Sequence, residues 1–265
     1  MITILLIYAT VGAVVGILAG LLGIGGGILV VPMLLYCFEG QGVSHVVIMH
    51  LALGTSMASI MFTAISSFMA HHRHGAVHWD IVRQIVVGIL IGTFLGSCIA
   101  ARLSTAFLSA FFVLFLYYVA SQLILNRTPR PSRHLPGRLG MFAAGNVIGA
   151  VSSFVGIGGG ALSVPFMVWC NIPMHHAIGT SAAIGFPIAV AGTIGYVYTG
   201  LFDANLPSYS LGYVYLPGLA GVVCASVLTA PIGAKLAHSL PVNRLKQVFA
   251  VILAIMGTRM LLGLL

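Results

Sequence analysis

Two stretches of this chain place glycine where an apolar helix would otherwise continue. They are "GLLGIGGGILVVP" (20–32) and "SFVGIGGGALSVP" (153–165), and each carries the same GIGGG. Glycine costs a helix roughly 1 kcal/mol relative to alanine. Breaks are therefore expected at Gly23, Gly25, Gly26 and Gly27, and again at Gly156, Gly158, Gly159 and Gly160. Such a break exposes amide N–H groups with no side chain in the way. A helix that resumes after it presents a partial positive charge at its N-terminus. Together these make an anion site out of backbone alone. Pro32 and Pro165 are expected near the start of the resumed helix, where a missing N–H does no harm.

A second pair of motifs supplies hydroxyls. Gly54-Thr55-Ser56 and Gly179-Thr180-Ser181 stand in otherwise apolar surroundings. Their hydroxyls suit an oxyanion without adding charge, although back-bonding to the preceding turn would use them equally well. His50 and His175 stand one turn ahead of these motifs. Each is read either as a relay for a proton or an anion or as a residue of the membrane interface. The cluster His71, His72, Arg73, His74 and His78 reads as a basic loop, because no carboxylate or thiol accompanies it in a metal-ligand pattern. No metal and no cofactor are expected. Cys37, Cys98, Cys170 and Cys224 show neither metal-ligand spacing nor a disulfide framework, and are read as small packing residues. No nucleophile or paired-acid set appears, so an enzyme is not expected.

The elements that must hold these groups are membrane helices. Of 265 residues, 60% are hydrophobic and 5% charged, against about 25% charged in a soluble domain. Several apolar runs reach the roughly 20 residues that span a bilayer. They are continuous rather than alternating, which excludes a β-barrel. The net charge of +8 comes from Lys and Arg in short loops. That is the mark of membrane orientation and not of nucleic-acid binding.

The chain aligns with itself. Residues 12–32 match 145–165 at 11 of 21 positions without a gap, and 49–56 match 174–181 at six of eight. A weaker match joins 96–103 to 233–240. The expected architecture is all-α and integral to the membrane, with two pseudo-symmetric repeats, 1–125 and 139–265, joined by the basic linker 126–138. Each repeat has a glycine-broken first run followed by three helices, giving eight to ten hydrophobic segments. The helices are placed at about 2–22, 28–38, 45–70, 82–101 and 105–125, and at 139–155, 161–171, 175–198, 211–232 and 245–264. If each first run goes in and comes back, the repeats are inverted, and nine of the 11 basic residues share the side of the linker. Only Arg102 and Arg259 lie opposite. A single crossing by each first run would split them seven to four. The positive-inside rule prefers the inverted arrangement, with the linker in the cytoplasm.

Duplicated GIGGG…P and H-x-x-A-x-GTS blocks in an apolar chain of this size resemble the TauE/SafE family, also called the TSUP transporters. The resemblance covers essentially the whole chain. It implies transport of sulfite or an organosulfur anion, with the glycine and GTS blocks lining the pathway. Glu39, Asp80 and Asp203 all fall at segment ends or in loops, so no intramembrane acid is available for coupling. Export is favoured, because an anion leaving an inside-negative cell gains about 2.3 kcal/mol per charge per 100 mV. The alternatives are a proton-coupled uptake permease and a passive anion channel. The expected partners are a small inorganic or organosulfur anion and the lipid bilayer of the cytoplasmic (inner) membrane. No nucleic acid is expected, and a homo-oligomer is left open.

Overall fold

The computed structural model describes residues 2–22, 27–125, 132–239 and 242–263. Gly23, Gly25 and Gly26 of the first motif lie outside the described residues, as do Arg127 and Arg130 of the linker.

Ten helices carry the fold among the described residues. They are α1 (Ile2–Leu22), α2 (Gly27–Gly40), α3 (Ile48–Arg73), α4 (Trp79–Ala100), α5 (Thr105–Leu125), α6 (Arg138–Val155), α7 (Gly160–Trp169), α8 (Met174–Gly200), α9 (Leu216–Ser239) and α10 (Val242–Leu262). Five of them, α3, α4, α5, α6 and α8, are long and apolar enough to cross a membrane. Side chains such as Val147, Leu114 and Leu228 stand exposed on the outside of the bundle, as expected where lipid is the solvent. The protein is an all-α integral membrane protein.

The short helices explain the two overlong apolar runs. At 1.5 Å per residue, α2 is about 21 Å long and α7 about 15 Å, so neither spans a core of about 30 Å. Each returns toward the end where its run began. The Trp169 carbonyl at the end of α7 accepts from the amides of Ser132 and Arg133, just ahead of α6, at 3.3 and 3.2 Å. The Arg133 guanidinium also lies over the Trp169 ring. Just past α2, the Gln41 amide donates to the Tyr8 hydroxyl near the start of α1 at 2.6 Å.

Small residues set the helix packing, because apolar side chains gain little by leaving lipid for one another. α1 runs along α9, and α6 along α4, with a glycine pair at each seam. A methyl on Gly12 would lie 2.7 Å from the Val222 carbonyl oxygen, and one on Gly145 would lie 2.6 Å from that of Ile85. Four residues on, Gly16 faces Thr229 and Gly149 faces Thr93. The centre is formed by α3 and α8, which run antiparallel: Gly54 lies against Tyr196, and Met57 against Gly192.

Two expectations need correction. Residues 211–215, expected to open a helix, instead form a small hairpin of β1 (Ser210–Leu211) and β2 (Val214–Tyr215). Gly212 turns it with a left-handed φ of 54°. Pro32 and Pro165 are each the sixth residue of their helix, beyond the first turn. There the missing N–H removes an internal hydrogen bond.

Candidate functional site

The second glycine break is fully described. α6 ends on Gly156, left-handed at φ 67°, and α7 is capped by Gly159, left-handed at φ 74°. Both values favour glycine. Among the described residues, the amides of Gly158, Gly159, Gly160 and Ala161 have no backbone acceptor. The segment lies inside the bundle. A side chain on Gly159 would run into Ile188 of α8, and one on Gly158 would lie 3.2 Å from Ile60 of α3. Open amides at this depth are tolerated only within protein or beside a cavity.

The last glycine of the first motif meets the second break here. A methyl on Gly27, the first residue of α2, would lie 3.2 Å from the Gly156 carbonyl oxygen. Ser56, fully buried on α3, donates its hydroxyl to that carbonyl at 2.8 Å and lies 3.5 Å from the Gly27 carbonyl. One side chain of a GTS motif thus touches both glycine motifs. Its counterpart Ser181 accepts a hydrogen bond from Ser163 of α7 at 2.9 Å, and Ser163 also lies 3.0 Å from the Gly159 carbonyl.

Among the described residues, neither threonine bonds back to the preceding turn. Thr55 Oγ1 accepts the Tyr215 amide at 2.9 Å, and Thr180 Oγ1 accepts the His78 amide at 2.9 Å. The preceding glycines make room for the same segments. Gly54 touches the Tyr213 carbonyl, and a methyl on Gly179 would lie 2.7 Å from the Ala76 carbonyl. Each segment opens with a left-handed glycine, Gly75 at φ 66° and Gly212 at φ 54°. In G-x-V-x-(W/L), at 75–79 and 212–216, the carbonyl of the second residue meets the motif glycine and the amide of the fourth meets its threonine. The 96–103 to 233–240 register, extended backwards, brings these two segments into line.

The histidines lie away from the breaks. Buried His50 has Nε2 3.2 Å from the Ala100 carbonyl and 3.0 Å from that of Leu103, and its ring packs on Tyr213. His175 is exposed at the opposite end of the bundle, against His176. The acids are peripheral: Glu39 ends α2, Asp80 begins α4, and Asp203 follows α8. Asp203 accepts from Tyr213 at 2.8 Å and from the Asn205 amide at 2.9 Å. Slight burial pushes this carboxyl up, but the bonds from Asn205 and Tyr213 outweigh it and hold the group below the usual carboxylate range.

Residues 8–260 match the family model described as "Sulfite exporter TauE/SafE". The chain belongs to the TauE/SafE family. A protein of Haemophilus influenzae named "Probable membrane transporter protein" is 35% identical over 263 residues, which cover 99% of this chain and all of that one. One of the same description from Methanocaldococcus jannaschii is 27% identical over 95% of this chain and 93% of its own length. YdhB of Bacillus subtilis, also a probable membrane transporter protein, is 29% identical over 93% of this chain and 96% of its own. No solved structure matches. This TauE/SafE protein is therefore a multi-pass membrane transporter and not an enzyme. Its paired glycine breaks and the GTS hydroxyls around them form the candidate site.

Proposed function

We propose that this chain is a secondary transporter that exports a small anion, sulfite or an organosulfur anion of the sulfonate type, across the cytoplasmic membrane. The observation that carries the reading is the meeting of Gly27 and the second break at Ser56, beside four amides that lack backbone acceptors among the described residues. Amide and hydroxyl donors around a helix N-terminus suit an oxyanion. No carboxylate is near to repel it.

The repeats, 1–125 and 139–265, are inverted about this site. The antiparallel run of α3 and α8, and the return of each broken run to its own end, support that arrangement. It is the general design of transporters whose broken helices meet at mid-membrane. The linker 126–138 lies in the cytoplasm, with Arg73, Arg83 and Arg138 at the same end of the bundle. Transport runs outward because the membrane potential drives an anion out without an acid to couple a proton.

The test is efflux from proteoliposomes preloaded with labelled sulfite. Efflux is expected to continue when the proton gradient is collapsed and the potential held, and to be accelerated by external unlabelled anion. Strict dependence on a proton gradient would contradict the reading and bring His50 and His175 into the mechanism.

A further inference from the structure

We propose that Ser152 is a ligand residue of the anion site, and that the site is lopsided, reaching from the second glycine break onto α6 and, through Thr93, onto α4. The inference rests on the reading of the breaks as an anion site.

Ser152 is fully buried, and among the described residues its hydroxyl has no hydrogen-bond partner. It sits beside the break: a first side-chain carbon on Gly159 would lie 3.5 Å from Ser152 Oγ. The four open amides, from Gly158 to Ala161, are its immediate setting. A buried hydroxyl without a partner is costly, and a helical serine ordinarily avoids the cost by bonding back to the preceding turn. Its neighbours do so. Ser153 donates to the Ala150 carbonyl at 2.7 Å, and Thr193 to that of Ala189 at 2.7 Å. Ser152 points into the break instead.

Thr93 is the second such group, fully buried and also without a partner among the described residues. It packs against Gly149, three residues before Ser152 on the same face of α6. On the far side it touches Gly192 of α8, one turn from the Ile188 that abuts Gly159. The chain holds its own control. At the matching seam Thr229 packs against Gly16, and there the hydroxyl is satisfied, 3.0 Å from the Ala13 carbonyl and 2.9 Å from that of Ala225. The same contact therefore permits a closed hydroxyl, and the one beside the second break is open.

The sequence is asymmetric in the same sense. In the register that pairs the two GIGGG motifs, Ser152 stands opposite Ala19 and Ser163 opposite Val30. Hydroxyls thus flank the second break at positions where the first has apolar residues. The ligand this suits is an oxyanion whose oxygens diverge, some facing the amides and at least one facing Ser152. The amides only donate, whereas Ser152 also accepts a hydrogen bond from an anion that keeps a proton.

The test uses the full chain in detergent, with sulfite and chloride affinities and the melting temperature without ligand measured for each variant. Ser152→Ala is expected to weaken sulfite about 2- to 10-fold, the worth of one neutral hydrogen bond, and to weaken chloride no more than sulfite. Thr93→Val is expected to act in the same direction. Ser153→Ala and Thr229→Val should leave sulfite affinity unchanged. Ser152→Ala should also melt no lower than the wild type, because it removes an unpartnered buried group. A serine with a purely structural role would give lower melting and unchanged affinity, and that result overturns the proposal. Wild-type affinity in Ser152→Ala, with sulfite still lost on substitution of Gly159, would overturn it while leaving the anion site in place. A wild type that binds neither sulfite nor methanesulfonate overturns both.

Discussion

The hydroxyl of Ser56 donates to the carbonyl of Gly156 at 2.8 Å, across 100 residues of sequence. That bond joins a GTS motif in one half of the chain to the glycine break in the other. It occupies one of the few polar groups available to quiet an interrupted helix inside the bundle. Replacing Ser56 with alanine leaves the carbonyl buried and unpaired, at a cost of about 1–3 kcal/mol. A lower melting temperature for Ser56→Ala is expected, together with weaker sulfite binding. Unchanged melting would mean that another donor replaces the bond.

Thr55 and Thr180 are clasps between distant segments, and their loss should be local. Thr55→Val frees the Tyr215 amide, and Thr180→Val frees that of His78. Amide hydrogen exchange is expected to speed up around 213–216 in the first variant and around 76–79 in the second. Each should leave the opposite end of the bundle protected. Sulfite affinity should fall less than in variants of the breaks. Uniform exchange across both ends in either variant would remove the clasp from the account.

Asp203 gives the hairpin end a defined response to acid. Its folded pKa lies below the ordinary carboxylate value because the bonds from Asn205 and Tyr213 outweigh slight burial. The contribution is therefore present above about pH 4, the unfolded value, and is lost as pH falls through the folded value. Exchange in 203–215 should be flat from pH 7 to about pH 5, after correction for intrinsic rates, and rise only in stronger acid. Asp203→Asn should remove the acid step. An acid step that survives in Asp203→Asn would contradict this.

Orientation is tested by single cysteines. In a chain cleared of its four native cysteines, a cysteine at Asn205 should react with an impermeant reagent from outside. One at Ser132 should react only after the membrane is opened. The reverse pattern would invert the orientation and with it the direction of transport.

Much of this was legible in the sequence, for physical reasons. Apolar runs without charge mark membrane helices, and the ends of α1, α5 and α6 fall within one residue of those expected. The second break was legible because GIGGG cannot continue a helix at low cost. The hairpin at 210–215 was not, since an apolar stretch of Tyr, Val and Leu reads equally as the start of a helix. Its signal was Gly212, in register with Gly75. The partners of Thr55 and Thr180 were not legible, because each lies more than 100 residues away and has no local pattern. Ser152 was passed over for the opposite reason: it is one serine among many helical ones, and only packing shows that it alone of the pair Ser152–Ser153 is unpartnered.

The central claim is that backbone at the glycine breaks binds the anion, and the most direct measurement is sulfite affinity in purified Gly158→Ala and Gly159→Val. Gly158 is not left-handed, and its new methyl would meet only Ile60 closely, so Gly158→Ala should fold and melt within a few degrees of the wild type. Gly159→Val carries a left-handed φ and presses on Ile188, and its melting temperature should fall. Sulfite binding at least tenfold weaker is expected in Gly158→Ala, and none measurable in Gly159→Val. Wild-type affinity in a folded Gly158→Ala and a folded Gly159→Val would contradict it, and would leave the glycines as packing surfaces alone.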